Sequence, residues 1–170
     1  MSIDQLSRSL WQKAGHNRRA AFFGCFVAGY LGHLYAFTNL IPNSDGLSRV
    51  FDLQQMTVSG RCFLHYASAL NNFTQMPALI GFLSVLFLAL AAALAVDVLG
   101  LRSRALSALT GAVMALFPCM GYTFLYMFTA SAYCLAIFLA VLSVWLAREG
   151  RVRWLLGAVA LALAMGTYQA

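Results

Sequence analysis

The stretch "ALSALTGAVMALFPCMGYTFLYMFTASAYCLAIFLAVLSVWLA", residues 105–147, runs for 43 residues without a charged side chain. A single helix of that length would extend about 65 Å at 1.5 Å per residue, twice the thickness of the hydrocarbon core of a bilayer. The stretch therefore predicts two membrane-spanning helices. The break between them is expected at "FPCMGYT", where Pro118 and Gly121 favour a turn.

The composition of the whole chain supports lipid as its main solvent. The chain is 62% hydrophobic and 9% charged, whereas soluble domains carry roughly 25% charged residues. The net charge of +6 does not indicate nucleic acid, because the basic residues stand in small groups at the ends of apolar runs. The four cysteines show no paired spacing, so neither a disulfide framework nor a zinc site is indicated.

Three further apolar runs complete the expected fold. Residues 20–41 predict a first span, and His33 inside it is expected to hydrogen-bond a neighbouring helix. Pro77 opens a second span, which ends at Asp97, an expected interfacial charge near Arg102 and Arg104. Residues 154–170 form a fifth run. The prediction is an all-α integral membrane protein with about five transmembrane helices in residues 20–170 and one larger extracytoplasmic loop, residues 42–76.

Basic residues predict the orientation of these spans. Nine of the eleven fall on one side, and only Arg49 and Arg61 fall on the other. The side richer in Lys and Arg usually faces the cytoplasm. The N-terminus is therefore expected in the cytoplasm, with residues 1–19 forming either an interfacial helix or a frayed tail. The 42–76 loop is expected outside.

This loop holds most of the polar chemistry predicted outside the cytoplasm. Asp45 in "NSDG" is either a turn carboxylate or a general base at the depth of a lipid head group. Arg49 and Arg61 are either solvated cations or guanidinium groups that hold a phosphate. His65 is a proton shuttle, a metal ligand or neither, and no second His or Cys stands at ligand spacing.

The order of several short motifs resembles a known family. The resemblance runs from about residue 39 to residue 170 and rests on these pieces: "NSDG", "SGR", "MPALIGFLSVLFLAL", "FPCMGYTFLYMFTASAYCLAIFLAVLSVWLA" and "LALAMGTYQA". They are similar to the N-terminal part of the O-antigen glucosyltransferase family of serotype-conversion proteins. Members of that family are longer, so the resemblance implies that these residues are the N-terminal part of a longer protein.

The resemblance also implies an activity and a site. It implies a GT-C-like, multi-pass enzyme of the bacterial inner membrane that transfers glucose from a polyprenyl-phosphate donor to lipid-linked O-antigen or another surface glycan. Asp45 would be the catalytic base, and Arg61 would contact donor phosphate or sugar. Tyr168 and Gln169 would line the cavity, and Arg49 and His65 are further candidates for substrate binding. The resemblance leaves open whether the enzyme needs a divalent metal.

Two other classes of membrane protein compete with the enzyme. The main alternative is a non-catalytic scaffold or accessory subunit, which would be indifferent to the loss of the Asp45 carboxylate. A transporter is disfavoured, because apart from His33 the predicted spans lack the ionisable residues that mark transport pathways.

Overall fold

The computed structural model describes residues 15–41, 60–69, 76–148 and 150–168. The regular secondary structure of these residues is helical throughout, with no strand among them. The helices are α1 His16–Gly32, α2 Leu34–Thr38, α3 Leu64–Ala67, α4 Pro77–Val98, α5 Arg104–Leu116, α6 Pro118–Leu125, α7 Met127–Ala147 and α8 Arg151–Thr167. The predicted all-helical class is therefore confirmed for the described part of the chain.

Two of these helices, α4 and α7, are long and apolar enough to cross a membrane. A third span results if α5 and α6, which are bent by 43° relative to each other, are counted together. The apolar part of α8, Val152–Thr167, is shorter. Within the described residues the membrane class is thus supported by two or three spans, and the number five stays a prediction.

The helical structure of the uncharged stretch 105–147 is interrupted at Pro118, as predicted, and a second time at Tyr126. α5 ends before Phe117, and Pro118 opens α6, since proline lacks an N–H group and its ring clashes with the preceding turn. A second break follows at Tyr126. The prediction that Gly121 forms the turn is wrong, because Gly121 lies inside α6. One proline suffices to end a helix.

The long helices lie side by side in the order α5, α1, α4, α7, α8. Two glycines bring the parallel helices α1 and α5 together: a Cβ on Gly111 would overlap the Ala21 carbonyl oxygen, and a Cβ on Gly24 would overlap that of Ala108. Small residues at such contacts are the usual means of association in lipid, where close van der Waals packing replaces the hydrophobic effect. The helix order therefore depends on small side chains.

The two ends of this helix row differ in charge. At one end, here called the basic end, the start of α1 meets the ends of α4 and α7 through contacts of Arg18, Arg148 and Asp97. At the opposite end, here called the Arg61 end, the segment 60–69 contacts α7 and α8. The chain therefore runs through the helix row in alternating directions between the basic end and the Arg61 end, as the sequence predicts.

Candidate functional site

The segment 60–69 is fastened to the bundle at the Arg61 end. The Phe63 N–H donates a hydrogen bond of 2.7 Å to the Gly166 carbonyl oxygen near the end of α8. A Cβ on Gly166 would overlap the Phe63 ring, so this close approach requires glycine. Leu64 and Ser68 are buried on the inner face of the segment. The backbone of residues 61–68 is therefore held at the end of α8 by packing and by hydrogen bonding.

This attachment places a cation beside two aromatic rings that contact each other. The Arg61 guanidinium carbon lies 5.2 Å from the centre of the Tyr168 ring. The Tyr168 ring in turn lies 4.1 Å, centre to centre, from the ring of Tyr133 in α7. All three side chains are partly exposed. A guanidinium this close to a ring is attracted by the ring's π electrons and still has N–H groups with which to bind a phosphate or carboxylate. The arrangement suits the binding of an anionic group at this end.

The structure unites two of the residues expected at the site. Arg61 and Tyr168, which are separated by more than one hundred residues in sequence, are in contact. His65 lies four residues after Arg61 in α3, with its ring edge-on to Tyr66 at 5.5 Å. The other three candidates, Asp45, Arg49 and Gln169, lie outside the described residues.

Tyr133, whose ring contacts that of Tyr168, was not among the residues expected at the site. It stands in "TASAYCLA", where it is the one aromatic residue in a stretch of small or apolar side chains. A tyrosine in such a run carries a polar handle that needs a partner or a wet surface. That signal by itself does not identify a ligand site, because tyrosine is also common at membrane interfaces.

His33 occupies the break between α1 and α2 as a structural residue. Its Nε2 donates a hydrogen bond of 2.9 Å to the Ala115 carbonyl oxygen in the last turn of α5, where helix carbonyls have no partner of their own. The imidazole also packs at 4.6 Å from the ring of Phe124. The predicted hydrogen bond to a neighbouring helix is confirmed.

Asp97 has partners other than the expected ones. Its Oδ2 accepts hydrogen bonds of 2.7 Å from Arg18 Nη2 and from Trp145 Nε1. The carboxylate therefore joins α1, α4 and α7 and is more than an interfacial charge. No hydrogen bond joins it to Arg102 or Arg104 within the described part of the chain, although all three line one cleft.

A metal site has no support from the described side chains. Among residues 15–41, 60–69, 76–148 and 150–168, no group of three His, Cys, Asp or Glu side chains comes together. The acidic residues of the expected external loop lie outside those ranges.

The fold and the Arg61 end define a class of protein, namely a helical membrane protein with a cation–aromatic site at one end of its bundle. The sequence model of the family described as "Glucosyl transferase GtrII" matches residues 34–170. The chain belongs to this glucosyltransferase family, as the resemblance implied. The match includes Arg61, Tyr133 and Tyr168 and begins at α2. No curated protein and no solved structure matches the chain.

Proposed function

We propose that this protein transfers glucose from a polyprenyl-phosphate donor to a surface glycan, such as lipid-linked O-antigen, at the outer face of the bacterial inner membrane. Membership in a glucosyltransferase family supports the glucosyl transfer. The contact of Arg61 with Tyr168 is the observation that supports placing the proposed site at the Arg61 end. It joins segment 60–69, which is part of the predicted external loop, to the end of α8.

Arg61 is the proposed ligand of the donor phosphate. The nearby Tyr168 ring attracts the guanidinium and helps to hold it at this end of the bundle. Two parallel N–H groups can then bind two phosphate oxygens, which a lysine ammonium does with less directional precision. As the glucosyl bond breaks, negative charge grows on the phosphate, and the guanidinium stabilises that charge.

Asp45 is the proposed general base. Its carboxylate accepts the proton of the acceptor hydroxyl, whose oxygen forms a bond to the anomeric carbon of glucose while the bond from that carbon to the phosphate oxygen breaks. The leaving group is polyprenyl phosphate, and the anomeric configuration inverts. Arg49, His65 and Gln169 complete the proposed substrate contacts. In the sequence, Asp45 and Arg49 follow within eight residues of Ile41, the last described residue after α2.

The proposed orientation places the Arg61 end outside and the N-terminus in the cytoplasm. It is supported by the excess of basic residues at the other end, since nine of the eleven belong to that side. A donor that presents its sugar at the outer leaflet would therefore meet the Arg61 end at one surface.

The test is label transfer in membranes that carry the chain, supplied with polyprenyl-phosphate-[14C]glucose and a lipid-linked O-antigen acceptor. Removing one charge-assisted hydrogen-bonding group costs about 1.5–3 kcal/mol, so Arg61→Gln is expected to lower transfer about 10- to 150-fold. Arg61→Lys should retain part of the activity. Asp45→Asn should abolish transfer with normal insertion. Arg153→Gln, at the basic end, is the matched control and should leave transfer unchanged.

Unchanged transfer in Arg61→Gln would refute the role of Arg61. The same assay is run with the gene read through beyond Ala170, so that an incomplete enzyme is recognised by activity of the longer product. Absence of label with both products would refute the proposed enzyme and support the non-catalytic scaffold.

A further inference from the structure

A polar cleft lies at the basic end, far from the Arg61 site. It has a volume of about 630 Å³ and opens between the start of α1, the end of α4 and the start of α5. Its polar lining consists of His16, Asn17, Arg18, Asp97, Arg102 and Arg104. Among the lining residues that the structure describes, three guanidinium groups face one carboxylate, which is an excess of two positive charges when His16 is counted as neutral.

The carboxylate that the described residues contribute to the cleft, that of Asp97, already has two hydrogen-bond donors. Asp97 Oδ2 accepts its two hydrogen bonds from Arg18 and Trp145. Arg102 and Arg104 form no ion pair within the part of the chain that the structure describes, and both are exposed. The positive excess therefore resides on these two side chains, where an anion from outside the protein would meet it.

The wall that carries Arg102 and Arg104 is fixed by a hydrogen-bonded turn. Gly100 has a φ of +65°, its N–H donates to the Asp97 carbonyl at 3.2 Å, and the Leu101 N–H donates to the Val96 carbonyl at 3.1 Å. These two bonds form a Schellman motif, for which glycine is the preferred residue. Asn17 Nδ2 then donates 2.8 Å to the Leu101 carbonyl and ties the turn to α1. The cleft is thus a built feature of the fold.

Two parallel helices begin beside this cleft and add to its positive potential. α1 starts at His16, where no side chain caps the first turn. α5 starts at Arg104 and is capped by Ser103, whose Oγ accepts from the Leu106 N–H at 3.4 Å. Helix N-termini carry a partial positive charge that favours phosphate. This field reinforces the two guanidinium groups.

An apolar stripe leads away from the cleft along α5. Leu106, Leu109 and Val113 are 54%, 58% and 53% exposed, and their spacing of three and four residues puts them on one face of the helix. A soluble phosphate compound has no apolar part that could pack against this stripe, whereas the acyl chain of a lipid could lie along it. The combination of a cationic cleft and an adjoining apolar stripe matches a phospholipid.

We propose that this cleft binds the phosphate of an anionic phospholipid, with the acyl chain along the exposed face of α5. Arg102 and Arg104 hold the phosphate oxygens, while Arg18 stays paired with Asp97. The site is independent of the proposed glucosyl transfer, since it lies at the opposite end of the bundle.

Lipid binding is measured by native mass spectrometry of the detergent-solubilised chain titrated with phosphatidylglycerol, phosphatidylcholine or glycerol phosphate. A basic residue near an anionic lipid surface contributes about 1 kcal/mol, so Arg102→Gln and Arg104→Gln should each weaken phosphatidylglycerol binding about fivefold. Arg153→Gln removes an equal charge at the same end but outside the cleft lining and should leave binding unchanged. Phosphatidylcholine should bind more weakly than phosphatidylglycerol.

Two outcomes would overturn the proposal. Equal losses in Arg102→Gln, Arg104→Gln and Arg153→Gln would show general surface charge in place of a site. Competition by glycerol phosphate as strong as that by phosphatidylglycerol would assign the cleft to a soluble anion. If a Gln variant fails to fold, Arg102→Lys retains the charge and should keep most of the binding, and its failure to bind phosphatidylglycerol would also overturn the proposal.

Discussion

The carboxylate of Asp97 is expected to be a principal polar stabiliser of the helix row, and its loss can be given a magnitude. Asp97→Ala removes an ion pair with Arg18 at 2.7 Å, in which the side chains are 34% and 33% exposed. A partly exposed pair of this kind contributes about 1 kcal/mol. The substitution also removes the acceptor of the Trp145 Nε1–H group, and a hydrogen bond to a charged acceptor contributes about 1.5 kcal/mol. The expected loss in the free energy of unfolding is about 2–3 kcal/mol.

The assay is reversible unfolding in mixed detergent micelles, followed by helical circular dichroism. A double-mutant cycle separates the two interactions. Trp145→Phe removes the N–H donor but keeps a ring beneath the Arg18 guanidinium, which lies 5.9 Å from the ring centre of Trp145. The Asp97–Trp145 coupling energy from this cycle is expected to be about 1 kcal/mol or more, because contacting residues are not additive.

Additive effects of Asp97→Ala and Trp145→Phe, within about 0.3 kcal/mol, would refute the reasoning. So would a loss in Asp97→Ala no larger than that of an exposed surface substitution, about 0.5 kcal/mol. Arg18→Gln supplies the corresponding cycle for the ion pair and should account for the smaller share.

Three further predictions concern packing, hydrogen bonding and orientation. Gly111→Ala should destabilise the folded protein by about 1–3 kcal/mol, because its Cβ would overlap a backbone carbonyl of α1. Gly121→Ala, whose Cβ would meet nothing within 4 Å, should be neutral or stabilising. Equal unfolding midpoints for the two variants would contradict this packing. His33→Phe should lose about 1–2 kcal/mol with the hydrogen bond to Ala115, and His33→Gln should recover part of it, as measured by the same unfolding assay. In intact cells a membrane-impermeant maleimide should label the exposed Cys62 from outside, and labelling confined to inverted vesicles would reverse the proposed orientation.

The helical membrane class and the helix boundaries at prolines could be predicted from local properties of the chain, whereas the break of the first apolar run at His33 could not. Pro77 begins α4 as expected, and the break of the long uncharged stretch falls at Pro118. Both follow from the missing N–H group and the fixed ring of proline, which act within a few residues. The uncharged length of residues 105–147 likewise required more than one helix. What local pattern did not predict is the second break at Tyr126, to which no strong turn residue points.

The partners within the candidate site depended on the tertiary structure. Arg61 was a candidate from its position in the loop, but its contact with Tyr168 arises only when segment 60–69 docks on α8, and the contact of Tyr168 with Tyr133 only when α8 packs against α7. Asp97 shows the same limit, since its partners lie 79 and 48 residues away along the chain. The sequence by itself determined that helices form, that their surfaces suit lipid and which residue types could bind a phosphate, because these properties depend on side-chain chemistry and on close neighbours. Only the tertiary structure decided which of those residues meet, because meeting depends on the order in which the helices pack.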